Sequence, residues 1–481
     1  MFTENNVALT PIGQLKNPVS QDITQSPISI GFECLDREMF DPEPCYDLLA
    51  NAGIKWARCQ TGWARCEKVK GKYTFDWLDS VVEQLLKRGI KPWFNVGYGN
   101  PLYMNNTFSE AAVGCVPLYY GKETILAWQN YIKALAAHFK GKIKYFEIWN
   151  EPDIANFWQP ESSNPEDYAR LIEMTSDMIR SEIPEARIGA CNSSRFGSFA
   201  VRLLRSGIAR TLNFYCFHAY AVQPELNYAQ VIAMIRRTLD ENGGKHVEIW
   251  QGEAGFASWF PSGHYLNYIK ESEQNQAIWL LRRYVTDIAH GIKVSSFFQA
   301  ADMMGKKYQT GNDTRPQPAR HGILNGIYYT PKTAYTAMKH IAAVFSEKTQ
   351  PAELFMAVYF FNAHSWNQRH SRLLDIGVQC NAFTRNQYPI FEYHLAEDMQ
   401  YGFKGLEKIE IRLENKPNLK PMQNPVLIDL LSGKVSRIEN FTHEKDVFIY
   451  CKNLPLTDYP LLICDASAYH FEPLPTSRTS Y

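Results

Sequence analysis

The chain has 481 residues, with fifty basic and fifty acidic side chains cancelling to a formal charge of zero; at 45% hydrophobic and 21% charged it has the composition of an ordinary globular protein. This excludes a disordered or fibrous chain. The basic excess by which nucleic-acid binders neutralise phosphate is missing, so no nucleic-acid partner is expected.

The N-terminus, MFTENNVALTPIGQLKNPVS, has no basic segment leading into an apolar run, and no stretch of about 20 apolar residues follows anywhere. Neither a secretory leader nor a membrane partner is expected. Strand-like runs then alternate with amphipathic stretches from about residue 28 to 345. The strand candidates are SIGFEC (29–34), IKWARC (54–59), KPWFNVG (91–97), IKYFEIW (143–149), RIGACN (187–192), NFYCFHA (213–219), HVEIWQG (246–252) and KVSSFFQA (293–300). Between them, PEPCYDLLANAG stops at Gly53 and TFDWLDSVVEQLLKRG at Gly89, each glycine a helix C-terminal signal. The latter spaces Leu78, Val81, Val82, Leu85 and Leu86 on one helical face. ETILAWQNYIKALAAHFKG ends at Gly141, and the next helix has Asn164 as N-cap and Pro165 in its first turn. Further helices are predicted over about 226–241, 272–290 and 331–345.

Eight alternating units predict a (β/α)8 barrel over 27–345. The competing doubly wound sheet usually carries a glycine-rich phosphate loop after its first strand, and none follows residues 29–34. After residue 345 the helical period fades. VLIDLLSGKVSRI reads as a hairpin turning at Ser432-Gly433, and VFIYCKNLPLTDYPLLICD as two strands around a proline-bearing loop. Residues 346–481 are therefore expected to form a β-sandwich, to which the 1–26 extension is able to add a strand through VALTPI. The ten cysteines show neither CxxC nor zinc-ligand spacing. Cys34, Cys59, Cys191 and Cys216 lie in or beside apolar runs, as thiols of a reducing compartment do, and a cytoplasmic location is expected.

Barrel enzymes place their chemistry at the C-terminal ends of strands. The fourth candidate strand runs into Trp149-Asn150-Glu151-Pro152-Asp153 and the seventh into Trp250-Gln251-Gly252-Glu253-Ala254-Gly255. A carboxylate just past each apolar run suits glycoside hydrolysis. One carboxyl protonates the departing oxygen, while the other attacks the anomeric carbon or activates water. The competing readings are a helix N-terminal carboxylate for Glu151 and a structural partner of Arg58 for Glu253. Glu147 and Glu248, deeper on the same strands, read as core polar groups.

FEIWNEPD resembles the acid/base motif of the large (β/α)8 clan of retaining glycoside hydrolases, and IWQGEAG is similar to its nucleophile segment. Within the clan the likeness is to family 39, the β-xylosidase and α-L-iduronidase family, on the WNEPD context, Phe217-His218-Ala219-Tyr220, the length and the trailing NLPLTDYPLL. The resemblance implies Glu151 as acid/base and Glu253 as nucleophile, with Asn150 on the sugar 2-hydroxyl. It also implies Arg58 beside the nucleophile and His218 and Tyr220 near it. One departure stands out. The clan's eighth strand usually ends in a Trp that floors the sugar subsite, whereas here SSFFQAADMM offers Gln299 or Asp302.

Asn95 and Gln60 are further candidate hydroxyl contacts, and Glu33, Asp36, Arg37 and Glu38 either grip hydroxyls or form a solvated loop. Trp63, Trp93, Tyr98, Trp158 and Trp259 are candidates for sugar stacking or for the core. The loop Ala301–Arg320, with Lys306, Lys307, Arg315 and Arg320, admits an anionic sugar as a secondary expectation. No cluster has metal-ligand spacing, so no metal or other cofactor is expected. The partner is an oligosaccharide or glycoside. Long segments after the third (98–120), seventh (254–270) and eighth (301–329) strands favour a pocket and exo action on short oligosaccharides. An endo-acting hydrolase of the same clan and a catalytically silent carbohydrate-binding barrel remain as alternatives.

Overall fold

The first strand, β1 (Leu9–Leu15), precedes the barrel in sequence yet pairs with the far end of the chain. The computed structural model describes residues 9–473 apart from 106, 108, 194–195, 260–270, 305–318, 348, 361–376, 397–407 and 446. Eight parallel strands then close a barrel: β2 (Ile28–Gly31), β3 (Trp56–Gln60), β4 (Lys91–Val96), β5 (Tyr145–Ile148), β6 (Arg187–Asn192), β7 (Phe214–Phe217), β8 (Glu248–Ala254) and β9 (Ser295–Phe297). Closure comes from β2, whose Ile30 stands opposite Ala57 of β3 and Phe297 of β9. A closed ring of this order excludes the doubly wound sheet.

Around the barrel lie α1 (Tyr46–Asn51), α2 (Trp63–Cys66), α3 (Asp76–Lys87), α4 (Lys122–His138), α5 (Pro165–Glu182), α6 (Ser198–Arg205), α7 (Tyr228–Glu241), α8 (Glu273–Ala289) and α9 (Thr333–Phe345). Local chemistry sets several of their ends. The Asn164 side chain accepts from the amides of Glu166 and Asp167 at 2.9 and 3.1 Å, and Pro165 occupies the first turn of α5, where its missing N–H is harmless. Helix α3 buries Leu78, Val81, Val82 and Leu85, while Leu86 at the edge of that face stays exposed. No helix among the described residues is long and apolar enough to cross a membrane.

Inside the barrel, Trp93, Cys191, Phe214, Cys216, Trp250 and Val294 form an apolar plug. The rings of Phe214 and Trp250 stack at 4.2 Å between centroids. The plug needs a glycine on β6, since a Cβ at Gly189 would collide with the Phe214 ring. This packing fills the lower barrel and leaves the strand C-termini as the place for polar groups.

The C-terminal third is a β-sandwich. One sheet orders β10 (Gln350–Pro351), β12 (Val378–Arg385), β13 (Tyr388–Leu395), β19 (Leu461–Asp465), β15 (Pro425–Asp429), β16 (Lys434–Ile438), β1 and β20 (Phe471–Pro473). The other orders β11 (Met356–Phe360), β14 (Lys408–Glu414), β18 (Phe448–Pro455) and β17 (Phe441–Glu444). The expected hairpin is β15–β16, turning at Gly433 with φ of 73°. The two strands around the proline-bearing loop, β18 and β19, lie in different sheets, so that loop crosses the sandwich. A buried polar chain ties sandwich to barrel. Arg282 on α8 donates twice at 2.8 Å to Glu225, and His394 on β13 lies 2.9 Å from Glu225 and 2.7 Å from Glu392.

Candidate active site

Arg58, fully buried in the middle of β3, organises the barrel mouth. Its guanidinium rests 5.6 Å from the Trp93 ring at the top of the plug. Nε donates to Glu147 Oε2 at 2.8 Å, and Nη2 donates to Asn150 Oδ1 at 2.9 Å. Nη1 donates to Glu33 Oε1 at 2.9 Å and to Glu253 Oε2 at 2.8 Å. Burial works against the arginine charge, but Glu147, Glu33 and Glu253 outweigh it and hold the group protonated. Glu147 on β5 is thus an anchor beneath the site; from sequence it is only a core carboxylate. Tyr220 donates to the other oxygen of Glu253 at 2.9 Å, so both oxygens of this carboxylate are oriented.

On the facing side, His218 Nδ1 lies 2.7 Å from Glu151 Oε1 and 3.9 Å from Glu253 Oε2. Burial lowers the His218 pKa, yet the charges of Glu253 and Glu151 prevail and the net shift is upward. Oxygens of Glu151 and Glu253 and a ring nitrogen of His218 all lie within 4.8 Å of one another. Both carboxylates stay accessible, their side chains 11% and 14% exposed. The segment that presents Glu151 is strained, with φ of 66° at Trp149 and 42° at Glu151, a region non-glycine residues seldom adopt. Trp149 Nε1 donates to Phe157 O at 2.6 Å and its ring packs on Trp128 and Trp158, which holds that conformation.

Other residues at the strand ends are committed to the protein. Asn95 donates to Glu147 Oε2 at 3.1 Å and to Trp149 O at 2.7 Å, so its amide nitrogen braces the mouth while its Oδ1 has no protein partner. Gln60 Oε1 accepts from Arg37 at 2.7 Å and from the Cys34 amide at 3.2 Å. Trp158 is enclosed by Tyr119, Trp149 and Tyr168, its indole donating to Tyr119 Oη at 3.1 Å, so it belongs to the core. Trp63, Trp93 and Tyr98 are likewise buried, whereas Trp259 is 63% exposed. Asp302 is paired with Lys332 at 2.6 Å. Residues 260–270 and 305–318, with Lys306, Lys307 and Arg315, lie outside the described residues.

Two carboxylates and an imidazole within 4.8 Å have the donor types of a cation site, but their atoms are taken by Arg58, Tyr220 and each other. A second grouping, Glu147, Cys191 and His218, includes a thiol that burial raises well above its usual range, which keeps it a poor ligand. Cys191 Sγ sits 3.3 Å from His218 Nε2, a contact that nothing in the sequence announces beyond its place near the end of β6.

The sequence profile of "Glycosyl hydrolases family 39" matches residues 49–251, the stretch that carries Arg58, Glu147, Asn150, Glu151, His218 and Tyr220. The chain is related to the family 39 glycosyl hydrolases. A β-xylosidase of Geobacillus stearothermophilus is 26% identical over 135 residues, 25% of this chain and 25% of that protein. Another, of Caldicellulosiruptor saccharolyticus, is 26% identical over 131 residues, 24% of this chain and 25% of that one. The matches thus span about a quarter of the length of these curated relatives. Among solved structures, a family 39 glycoside hydrolase from the gut symbiont Bacteroides cellulosilyticus WH2 superposes with a TM-score of 0.67 at 17% identity, covering 93% of this chain and 82% of the other. The family 39 enzyme from Xanthomonas axonopodis pv. citri does so with 0.58 at 14% identity, covering 95% and 97%. At these identities the likeness is one of fold, and it extends from the barrel through the sandwich.

Proposed function

We propose that this family 39 relative is a retaining glycosidase, exo-acting on short oligosaccharides in a β-xylosidase-like way. Glu253 is its nucleophile and Glu151 its acid/base. The observation that carries this reading is the approach of a Glu151 oxygen and a Glu253 oxygen to within 4.8 Å. Retaining enzymes hold their carboxyl groups about 5–5.5 Å apart, and inverting ones leave about 6.5–9.5 Å for a water.

The surroundings assign the roles. Glu253, fixed by Arg58 and Tyr220, attacks the anomeric carbon as the glycosidic bond breaks. Glu151 gives its proton to the departing oxygen. Water then attacks the glycosyl ester, giving its proton to Glu151 and releasing Glu253. His218, bridging the two carboxylates, stabilises the negative charge that passes between them. Asn150, oriented by Arg58, serves the sugar 2-hydroxyl. The names of the β-xylosidase relatives support xylose as the first sugar to try.

A panel of nitrophenyl glycosides tests the reading. Hydrolysis of at least one β-glycoside, with the β-anomer of the sugar formed first by NMR, is the expected result. No turnover on any of them would leave the silent barrel. The same proposal places the protein in a reducing compartment, supported by ten free cysteines. Thiol titration after denaturation without reductant is expected to find them unpaired, and three or more disulfides would contradict it.

A further inference from the structure

Among the described residues, several side chains at the mouth hold buried polar atoms without a hydrogen-bond partner, Asn95 Oδ1 and Glu147 Oε1 among them, but Gln299 and Glu33 lie together just past β9 and β2. Gln299, just past β9, is fully buried, and neither its Nε2 nor its Oε1 has a hydrogen-bond partner. Its backbone is fixed on both sides, the amide donating to His321 O at 3.2 Å and the carbonyl accepting from Ile323 at 2.9 Å. Glu33, just past β2, is equally buried. Its Oε1 accepts from Arg58, while its Oε2 has no partner. The two side chains flank Gly31: a Cβ there would stand 2.9 Å from Glu33 Oε2 and 3.2 Å from Gln299 Cβ. Glu33 shares Arg58 Nη1 with Glu253, so the pair adjoins the nucleophile. Orphaned buried polar atoms are costly, and these two side chains, both beside Gly31 and one sharing Arg58 with the nucleophile, carry three of them.

We propose that Gln299 and Glu33 together recognise two adjacent free hydroxyls of a neutral sugar in the subsite next to Glu253, and select it over a uronic acid. This rests on the glycosidase reading above. The amide offers donor and acceptor side by side. Burial, against the pull of Arg58, pushes Glu33 up to about 8, so near neutrality its free oxygen has a proton to donate. A uronate carboxylate would need a cation at this subsite. Among the described residues, Arg58 is taken by Glu33, Glu147, Asn150 and Glu253, Arg37 by Asp36 and Gln60, and Lys332 by Asp302 and Ser258.

The test is calorimetric titration of iminosugars of xylose, galactose and glucuronate configuration, each with its monodeoxy analogues, into wild type, Gln299→Leu and Glu33→Gln. A neutral compound is expected to bind best. Gln299→Leu should weaken it by about ten- to a hundredfold and should no longer distinguish it from one of its monodeoxy analogues. The same variant should melt at or above the wild-type temperature, because an apolar side chain replaces an unpartnered amide. Unchanged affinity and discrimination in Gln299→Leu, a clear fall in its melting temperature, or tightest binding of the uronate would each overturn the assignment. Aryl glycoside hydrolysis in the same samples separates the two readings. The expected binding pattern without hydrolysis sinks the catalytic role alone. Hydrolysis without the pattern sinks the recognition pair alone, and absence of both sinks both.

Discussion

His218 Nδ1 stands 2.7 Å from Glu151 and 3.9 Å from Glu253, so one imidazole addresses both carboxylates of the proposed reaction. Its pKa lies above the ordinary 6.5 despite burial, because the charges of Glu253 and Glu151 outweigh desolvation. The folded state therefore binds this proton more tightly than the unfolded one. The stability it contributes is complete below pH 6.5 and is lost as pH rises through the raised value. His218→Phe should lower kcat/KM by about 100-fold or more. It should also cost more melting temperature at pH 6 than at pH 9; an equal cost at both would show that the ring acts by packing alone.

Arg58 is the residue whose loss should propagate furthest, because one guanidinium serves Glu33, Glu147, Asn150 and Glu253. Arg58→Lys keeps a charge but loses the planar fork. Activity should fall by about 100-fold or more, and chemical denaturation should show a loss of about 3–5 kcal/mol, as expected when buried carboxylates lose a partner. A lysine variant with near wild-type kcat/KM would mean that positive charge alone suffices.

The raised Glu33 carboxyl makes a prediction of opposite sign to an ordinary salt-bridged acid. Between pH 4.5 and about 8 the folded state retains a proton that the unfolded chain has given up. Stability should thus fall with rising pH across that window, by at most about 1.4 kcal/mol per pH unit from this group. Glu33→Gln should remove that slope in urea titrations at several pH values. An unchanged slope would place the proton elsewhere.

The sandwich has its own titrating link. Burial alone would lower His394, but Glu392 and Glu225 raise it to about 9. Arg282 and His394 overcome the burial of Glu225 and hold it well below the usual carboxylate range. The contribution of His394 is full below pH 6.5 and lost as pH rises through about 9. His394→Phe should cost about 3–5 kcal/mol at neutral pH by leaving buried acids underpaired. The difference from wild type should shrink above pH 9, and a constant difference would contradict the titration.

The barrel was legible because its strands are apolar runs bounded by glycine-terminated helices, and β6 spans the predicted residues 187–192. Helix α6 left no clear pattern, its eight residues being too few to display a period. Glu151 and Glu253 could be read from their place after apolar runs. The partners that orient them could not, because Arg58 gathers Glu33 from the end of β2 and Glu147 and Asn150 from the end of β5. Gln60 looks like a hydroxyl contact until Arg37, from the turn after β2, occupies its oxygen. Trp158 likewise reads as a stacking platform until Tyr119 and Tyr168 close around it.

The most direct test of the central claim is the stereochemistry of azide rescue in two variants acting on an activated aryl β-glycoside. Glu253→Ala lacks the nucleophile, so azide should attack in its place and yield the inverted α-glycosyl azide. Glu151→Ala still forms the glycosyl ester with a good leaving group, and azide should then displace Glu253 to give the retained β-glycosyl azide. Retained product from Glu253→Ala and inverted product from Glu151→Ala would reverse the roles of the two carboxylates. Inverted sugar from the unmodified enzyme would contradict the double displacement itself.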